Sequence, residues 1–266
     1  MFKIISKEEL VSEVTSLAIE APLIAQKAKA GQFVVVIVDE KGERMPLTLA
    51  DWDKERGTIT LIFQKVGFTT KKLGALNTGN SLAHLLGPLG RPSEIENFGE
   101  VICIGGGVGI AEVYPVSRAF KEAGNRVIGI IGARSKGLLI LEDKMREVCA
   151  ELFIATDDGS YGRKGLVTDI LREYLEVIEK STHTKYPARV YCIGPVAMMK
   201  AVSELTKGYN IKTIVSLNPI MVDATGMCGA CRCTVAGRTV FGCVDGPDFD
   251  GHQVDFDELQ KRLKAF

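Results

Sequence analysis

Histidine is scarce in this chain: 266 residues contain only His84, His183 and His252. None stands in an HExxH or similar pair, so a zinc-hydrolase site or a Ser-His-Asp triad has almost nothing to build on. Charge imbalance is missing too, because 33 basic residues face 33 acidic ones. There is no basic block and no basic patch interleaved with aromatics, which argues against nucleic acid as a partner. No apolar run reaches the roughly 18 residues of a membrane span, and the opening MFKIISKEEL lacks the apolar core of a signal peptide. The expectation is a cytoplasmic protein with reduced thiols, in which clustered cysteines bind metal more readily than they pair as disulfides. Internal repeats and low-complexity segments are also absent.

Cysteine is what the sequence has in concentration. Four of seven lie in the run DATGMCGACRCTVAGRTVFGC, residues 223–243. Asp223-x4-Cys228-x2-Cys231 has the spacing of a plant-type [2Fe–2S] loop, and Cys243 follows after eleven residues as the distant ligand. Gly226, Gly229 and Gly237 allow backbone N–H groups to turn toward cluster sulfurs. Zinc on Cys228, Cys231, Cys233 and Cys243 is the competing arrangement, but paired CxxC units are absent. The expected metal ligands are Asp223, Cys228, Cys231 and Cys243. Cys233, the alternative to Asp223, is expected on the same strand face as Cys231 and near the cluster.

Residues 1–98 read as short β segments broken by turn signals, the pattern of a small antiparallel barrel. From Gly99 the pattern changes to apolar strands alternating with amphipathic helices, which means a parallel sheet covered on both faces. Pro115 is expected near the first turn of its helix. This α/β domain is expected over 99–217. A cysteine-bearing segment, 218–266, follows and closes on the amphipathic VDFDELQKRLKAF.

Three further motifs carry chemistry. GGGVGIAE, residues 105–112, follows a buried strand and opens a helix, so Gly105, Gly106, Gly107, Val108 and Gly109 suit the pyrophosphate of a dinucleotide. A tight βα turn is the plainer reading. GARSK ends the next strand, where an adenosine ribose is read. Arg134 and Ser135 there leave NAD and NADP both open, as no acidic residue stands at that place. In RMPLTLAD, Arg44 and Thr48 can clamp a phosphate, although the isolated motif favours the plainer reading of a solvent-exposed Arg and a strand Thr.

A barrel, a nucleotide-binding α/β domain and a plant-type cluster loop in that order resemble the ferredoxin-reductase superfamily. The resemblance covers essentially the whole chain. Within the superfamily the chain is similar to the dihydroorotate dehydrogenase electron-transfer subunit. It is more similar to the small subunit of NADH-dependent reduced ferredoxin:NADP oxidoreductase, also called sulfide dehydrogenase. The carrying motifs are RMPLTLAD, GPLG, GGGVGIAE, TDDGSYGRKG, DATGMCGACR and CVDGPDFDGHQVDF. The resemblance implies FAD against Arg44, Pro46, Leu47 and Thr48, with Gln64, Val66, Gly67 and Thr69 along the flavin. It implies Gly87, Leu89 and Gly90 near the flavin pyrophosphate. NAD(H), or NADP(H), would face Gly105–Gly109, Asp157, Asp158, Gly194 and Pro195. Two departures stand out. Many relatives carry Pro at the position of Glu112, and many carry Cys-Gly-Pro where this chain has Ile193-Gly194-Pro195. Cys192, one residue early, is expected on the wrong strand face for a nicotinamide contact.

The implied function is that of an iron–sulfur flavoprotein subunit passing electrons between NAD(H), FAD and a [2Fe–2S] cluster in an electron-bifurcating oxidoreductase. No side-chain catalytic pair is required, because the cofactors carry the chemistry. The implied partner is a larger subunit with FAD and [4Fe–4S] clusters, which reaches ferredoxin through the complex. Alternatives are the NAD-dependent dihydroorotate dehydrogenase subunit, where Cys is expected at the position of Asp223, and a zinc-stabilised nucleotide-binding regulator.

Overall fold

The computed structural model describes residues 2–180 and 186–264, and His183 lies outside the described residues. Seven antiparallel strands form the first sheet: β1 (Phe2–Val11), β2 (Val14–Glu20), β3 (Phe33–Ile37), β4 (Met45–Asp53), β5 (Thr58–Gln64), β6 (Ser81–Leu82) and β7 (His84–Leu89). Their order, β6-β1-β2-β5-β4-β3-β7, curls into a nearly closed barrel. Period-2 alternation explains its interior. Leu17 and Ile19 of β2 stand opposite Leu61 and Ile59 of β5, and all four are buried in one apolar core. Two helices trim the barrel, α1 (Pro22–Lys27) and α2 (Phe68–Ala75). The second is absent from the sequence reading. Its apolar face is nearly empty, with Leu73 its one large buried side chain. Its start is set by Gly67, whose amide donates to the Thr70 hydroxyl at 2.9 Å.

The second sheet is parallel but for its last edge. It comprises β8 (Glu100–Gly106), β9 (Arg126–Ala133), β10 (Glu151–Thr156), β11 (Arg163–Lys164), β12 (Arg189–Ile193) and β13 (Thr213–Ser216). Helices α3 (Ile110–Glu122), α4 (Glu142–Val148), α5 (Val167–Glu179) and α6 (Val196–Gly208) connect and cover it. Alternate residues of β8 serve opposite faces: Val101 and Cys103 pack in one core, Ile102 and Ile104 in the other. Pro115 is the sixth residue of α3 rather than a first-turn residue. It therefore forfeits the bond to the Ala111 carbonyl inside the helix, a cost set against the burial of its helix face.

Beyond Asn218 a hairpin forms from β14 (Arg232–Val235) and β15 (Arg238–Phe241). The chain then returns to the parallel sheet, where β16 (Asp248–Asp250) pairs antiparallel with β13. Helix α7 (Phe256–Lys264) closes the described chain. The sequence of β16, Asp-Phe-Asp, carries no β signal, and its pairing comes from the neighbouring edge.

The barrel and the sheet are pinned together at α3. Arg118 donates to Asp51 of β4 at 2.6 Å and lies over the rings of Trp52, at 5.1 Å, and Tyr114, at 5.5 Å. Half-buried cation–π contacts of this kind contribute about 0.5–2 kcal/mol each. They hold β4 and the start of α3 on either side of one cleft.

Candidate functional site

The order β11-β10-β9-β8-β12-β13-β16 reverses direction between β8 and β12. An open α/β sheet binds its ligand outside the strand ends at that switch point. A cavity of about 580 Å³ opens there, walled by the turn Gly106–Gly109, by Arg134 and Asp157 after β9 and β10, and by Gly194 and Pro195 after β12. Val14 and Gln64 reach it from the barrel. Glycine is required on steric grounds. A Cβ on Gly109 would fall 2.7 Å from the Ile193 carbonyl oxygen, and one on Gly106 2.4 Å from Met198 Sδ. Gly107, at φ +57°, has nothing within 4 Å of such a position and leaves the turn open to the cavity. The first turn of α3 therefore points free N–H groups at this space. Gly105 lies beneath, against Val113 and Ile110.

Not every expected nucleotide residue joins the wall. Ser135 precedes a short 3₁₀ turn, and the Asp158 carboxylate accepts the Ser160 amide at 2.9 Å instead. Cys192 is fully buried in the core on the α5–α6 side, whereas Ile193 lines the cavity. Strand alternation accounts for both placements.

Two carboxyls distinguish the site. Glu112, on the first turn of α3, is part of the cavity wall. It is partly open to the cavity and enclosed by protein elsewhere; burial pushes it up to about 7, the Thr48 hydroxyl opposes that shift and Asp248 adds to it. Asp248 accepts the Ser93 hydroxyl at 2.6 Å and the Tyr191 hydroxyl at 2.8 Å, and burial pushes it up to about 6. Sequence reasoning marks Glu112 only as a departure from relatives. It misses Asp248 altogether, because Ser93, Tyr191 and Asp248 are far apart in the chain.

On the barrel, Pro46, Leu47 and Thr48 lie along β4, and Gln64 ends β5. Val66 and Phe68 are 69% and 80% exposed on either side of Gly67. The Thr69 hydroxyl donates to Glu43. Gly87 and Gly90 are packing positions, where a Cβ would fall 2.7 Å from Val34 and 2.8 Å from Phe33 respectively. Arg44 faces neither the cavity nor open solvent alone. Its Nη1 donates to Asp223 Oδ1 at 2.8 Å and to the Asp223 carbonyl at 3.3 Å.

The cysteine segment sits on the outer wall of the barrel. Ala224, Cys231 and Cys243 pack with Phe33 and Val35 of β3, and Leu89 joins them. Cys231 Sγ is 3.2 Å from Cys243 Sγ. The Ala230 and Asp223 amides lower the Cys228 thiol below its ordinary range. Burial, and then Cys231, push Cys243 up to about 12. Asp223 is held low by the Thr225 hydroxyl and amide and by the Arg44 charge. The four expected donors thus lie as two neighbouring pairs, and among the described residues no three metal-ligating groups converge. Cys233 departs from the expectation that it shares a face with Cys231. Cys231 precedes β14, so strand alternation does not relate the two, and Cys233 is buried in the core that contains Phe256 and Leu259 of α7.

Residues 218–255 match the iron-sulfur cluster binding domain of dihydroorotate dehydrogenase B, and residues 103–204 match the oxidoreductase NAD-binding domain. The chain is 44% identical to a Thermotoga maritima dihydroorotate dehydrogenase B (NAD(+)) electron transfer subunit homolog, over 99% of this chain and 91% of that protein. It is 32% identical to the Shouchella clausii dihydroorotate dehydrogenase B (NAD(+)) electron transfer subunit, over 92% of this chain and 94% of that one. A chain of the NADH-dependent reduced ferredoxin-NADP oxidoreductase structure, described for flavin-based electron bifurcation, superposes with a TM-score of 0.92 at 44% identity. That match covers 100% of this chain and 94% of the other. With these matches and the site described above, the chain belongs to the family of dihydroorotate dehydrogenase B electron-transfer subunits and their homologues.

Proposed function

We propose that this protein is the small iron–sulfur flavoprotein subunit of an electron-bifurcating, NADH-dependent ferredoxin:NADP oxidoreductase. It passes electrons between NAD(H), FAD and a [2Fe–2S] cluster. The observation that carries this reading is the full-length likeness to a chain of that oxidoreductase. The geometry supports it. The dinucleotide cavity receives Gln64 from β5 of the barrel, and the cysteine segment is seated on β3, with β4 and its expected flavin motif between the two. A flavin held by the barrel therefore stands between a hydride donor and a one-electron carrier.

The residues fit their groups. Exposed Val66 and Phe68 beside Gly67 offer apolar surface for a bound flavin to cover. Pro46, Leu47, Thr48, Gln64 and Thr69 border it, and Leu89 lies on the side facing the cysteine segment. The Ala230 and Asp223 amides aimed at the Cys228 sulfur favour the anionic form that iron ligation requires. Asp223 supplies the fourth donor, its Oδ1 held by Arg44 and its Oδ2 by Thr225. Gly106, Gly107, Val108, Gly109 and the α3 N-terminus receive the dinucleotide pyrophosphate, with Arg134 and Asp157 at the ribose end and Gly194 and Pro195 leaving room for the nicotinamide. FAD supplies the exchange between two-electron and one-electron chemistry. The protein's own contribution is to orient hydride donor and acceptor, exclude water and hold the cluster near the flavin.

A larger partner chain completes the enzyme, as the relatives named electron transfer subunits support. Its content of FAD and [4Fe–4S] clusters, and its passage of electrons to ferredoxin, are part of the same proposal. The dihydroorotate dehydrogenase reading is the second one, supported by the cluster-domain match. Anaerobic purification tests both. About two iron and two sulfide per chain are expected, with loss of that iron in Cys228→Ser and retention in Cys233→Ser. Stoichiometric zinc without iron would remove the cluster. Co-purification with a dihydroorotate-oxidising chain would select the second reading.

A further inference from the structure

We propose that Glu112 is the proton-transfer group of this site, exchanging with the flavin the single proton that accompanies each hydride. The inference rests on the electron-transfer function proposed above. A hydride carries two electrons and one proton. A [2Fe–2S] cluster accepts one electron at a time and no proton. When both electrons of a hydride leave through the cluster, one proton is left at the flavin and must depart. When electrons run the other way, one proton must be supplied. A group beside the flavin that can take up one proton and give it back meets this balance.

The cavity wall contains two acidic residues, Glu112 and Asp157, and one basic residue, Arg134. Asp157 follows β10, two strands from the switch point between β8 and β12, on the same side as Arg134. That is the ribose end. Glu112 belongs to the other end. It is on the first turn of α3, which faces β4 across the cleft pinned by Arg118 and Asp51. Thr48 of β4, within the expected flavin motif, is among the groups that set its acidity. Gln64 and Val14 share that end of the wall.

The environment suits a group that must change charge near neutrality. Burial disfavours the carboxylate, the Thr48 hydroxyl favours it, and Asp248 opposes a second negative charge nearby; no cation is among the groups setting its acidity. A salt-bridged acid would be locked in one state. An acid without a cation, balanced close to the working pH, is the form in which proton transfer is fastest. Ser216 lines the cavity and stands opposite Asp248 across β13 and β16, so a second carboxyl, bonded by the Ser93 and Tyr191 hydroxyls, lies close to the cavity wall.

Redox-difference infrared spectroscopy on the chain loaded with FAD and cluster, reduced with NADH, reads this directly. The wild-type difference spectrum is expected to contain a carboxylic-acid carbonyl band. It should vanish in Glu112→Gln, shift in Glu112→Asp and persist in Asp157→Asn. With excess ferricyanide as a one-electron acceptor, so that both electrons leave, oxidation of the NADH-reduced flavin should slow by roughly a hundredfold in Glu112→Gln, the scale of a lost acid–base group, with recovery in Glu112→Asp. FAD content and cluster absorbance report folding, and Glu112→Asp serves if Glu112→Gln does not fold. A band that survives Glu112→Gln, or a wild-type spectrum without one while NADH bleaches the flavin normally, overturns the assignment alone. Failure of NADH to bleach the wild-type flavin overturns the electron-transfer reading and this inference with it.

Discussion

Arg44 and Asp223 are 179 residues apart in sequence and 2.8 Å apart in space. The arginine of the flavin motif holds the carboxylate that the cysteine spacing marks as an iron ligand. This contact joins the barrel to the cysteine segment through one guanidinium nitrogen, Nη1, shared between the Asp223 carboxylate and carbonyl. Exposed pairs of this kind add only about 0.2–1 kcal/mol to stability, so its value lies in fixing Asp223 Oδ1, while Oδ2 accepts the Thr225 amide and hydroxyl. Arg44→Ala should therefore change the cluster's electron paramagnetic resonance signal and midpoint potential, with little change in melting temperature. Arg44→Lys, which keeps the charge but replaces the planar guanidinium with a compact ammonium, should fall between the two. A tenfold or greater loss of FAD affinity with an unchanged cluster signal would return Arg44 to the flavin phosphate.

The glycines of the nucleotide turn are not equivalent, and substitution should rank them. At Gly109 an added methyl meets backbone, the Ile193 carbonyl at 2.7 Å and Gly194 Cα at 2.9 Å. At Gly106 it meets the flexible end of Met198. Overpacking against atoms that cannot yield costs about 1–3 kcal/mol. Gly109→Ala should lower the melting temperature and weaken NADH binding about tenfold or more, and Gly106→Ala should do less of both. Equal effects at the two positions would show that the β12 end moves freely.

Glu112 also makes stability depend on pH. Its folded value near 7 lies above the ordinary 4.5. The folded state thus binds the proton more tightly. That contribution is fully present below about 4.5 and is lost as pH rises through about 7. At pH 8 the carboxylate is buried at a cost that glutamine avoids, on the order of 1–3 kcal/mol for a side chain partly open to a cavity. Glu112→Gln should gain in melting temperature relative to wild type between pH 5 and pH 8, by a few degrees. A gap that stays constant or narrows over that interval contradicts the buried-acid assignment.

The layered architecture was legible because it rests on local periodicity. Alternation in β2 and β5 and the apolar runs of β8 and β9 each announce their burial within a few residues. The dinucleotide turn was legible for the same reason, since strand, glycines and helix are contiguous. Elements held by tertiary partners were not. Helix α2 buries too little to show a period, and β16 is three residues completing an edge. At the site, cysteine spacing is local, whereas the Arg44–Asp223 tie and the Ser93–Tyr191–Asp248 cluster come from chain reversals that no window of sequence contains. The placement of Cys233 is not legible in the spacing either, because β14 begins at Arg232, between the two cysteines, and residue spacing does not mark that start.

Dinucleotide choice follows from the two charged residues at the ribose end of the cavity. Arg134 is exposed at the mouth after β9 and suits a 2′-phosphate in isolation. Asp157, at the end of the adjacent strand, lines the same cavity. A 2′-phosphate would gain one attraction and meet one repulsion, whereas a free ribose hydroxyl can donate to the carboxylate. NADH should reduce the flavin in preference to NADPH by at least about tenfold in apparent affinity, a difference of about 1.4 kcal/mol. Asp157→Asn should narrow that preference by relieving the repulsion, and Arg134→Ala should widen it. Stopped-flow bleaching with each dinucleotide measures all three proteins. Tighter reduction of the wild-type flavin by NADPH would mean that the Arg134 fork outweighs the neighbouring carboxylate.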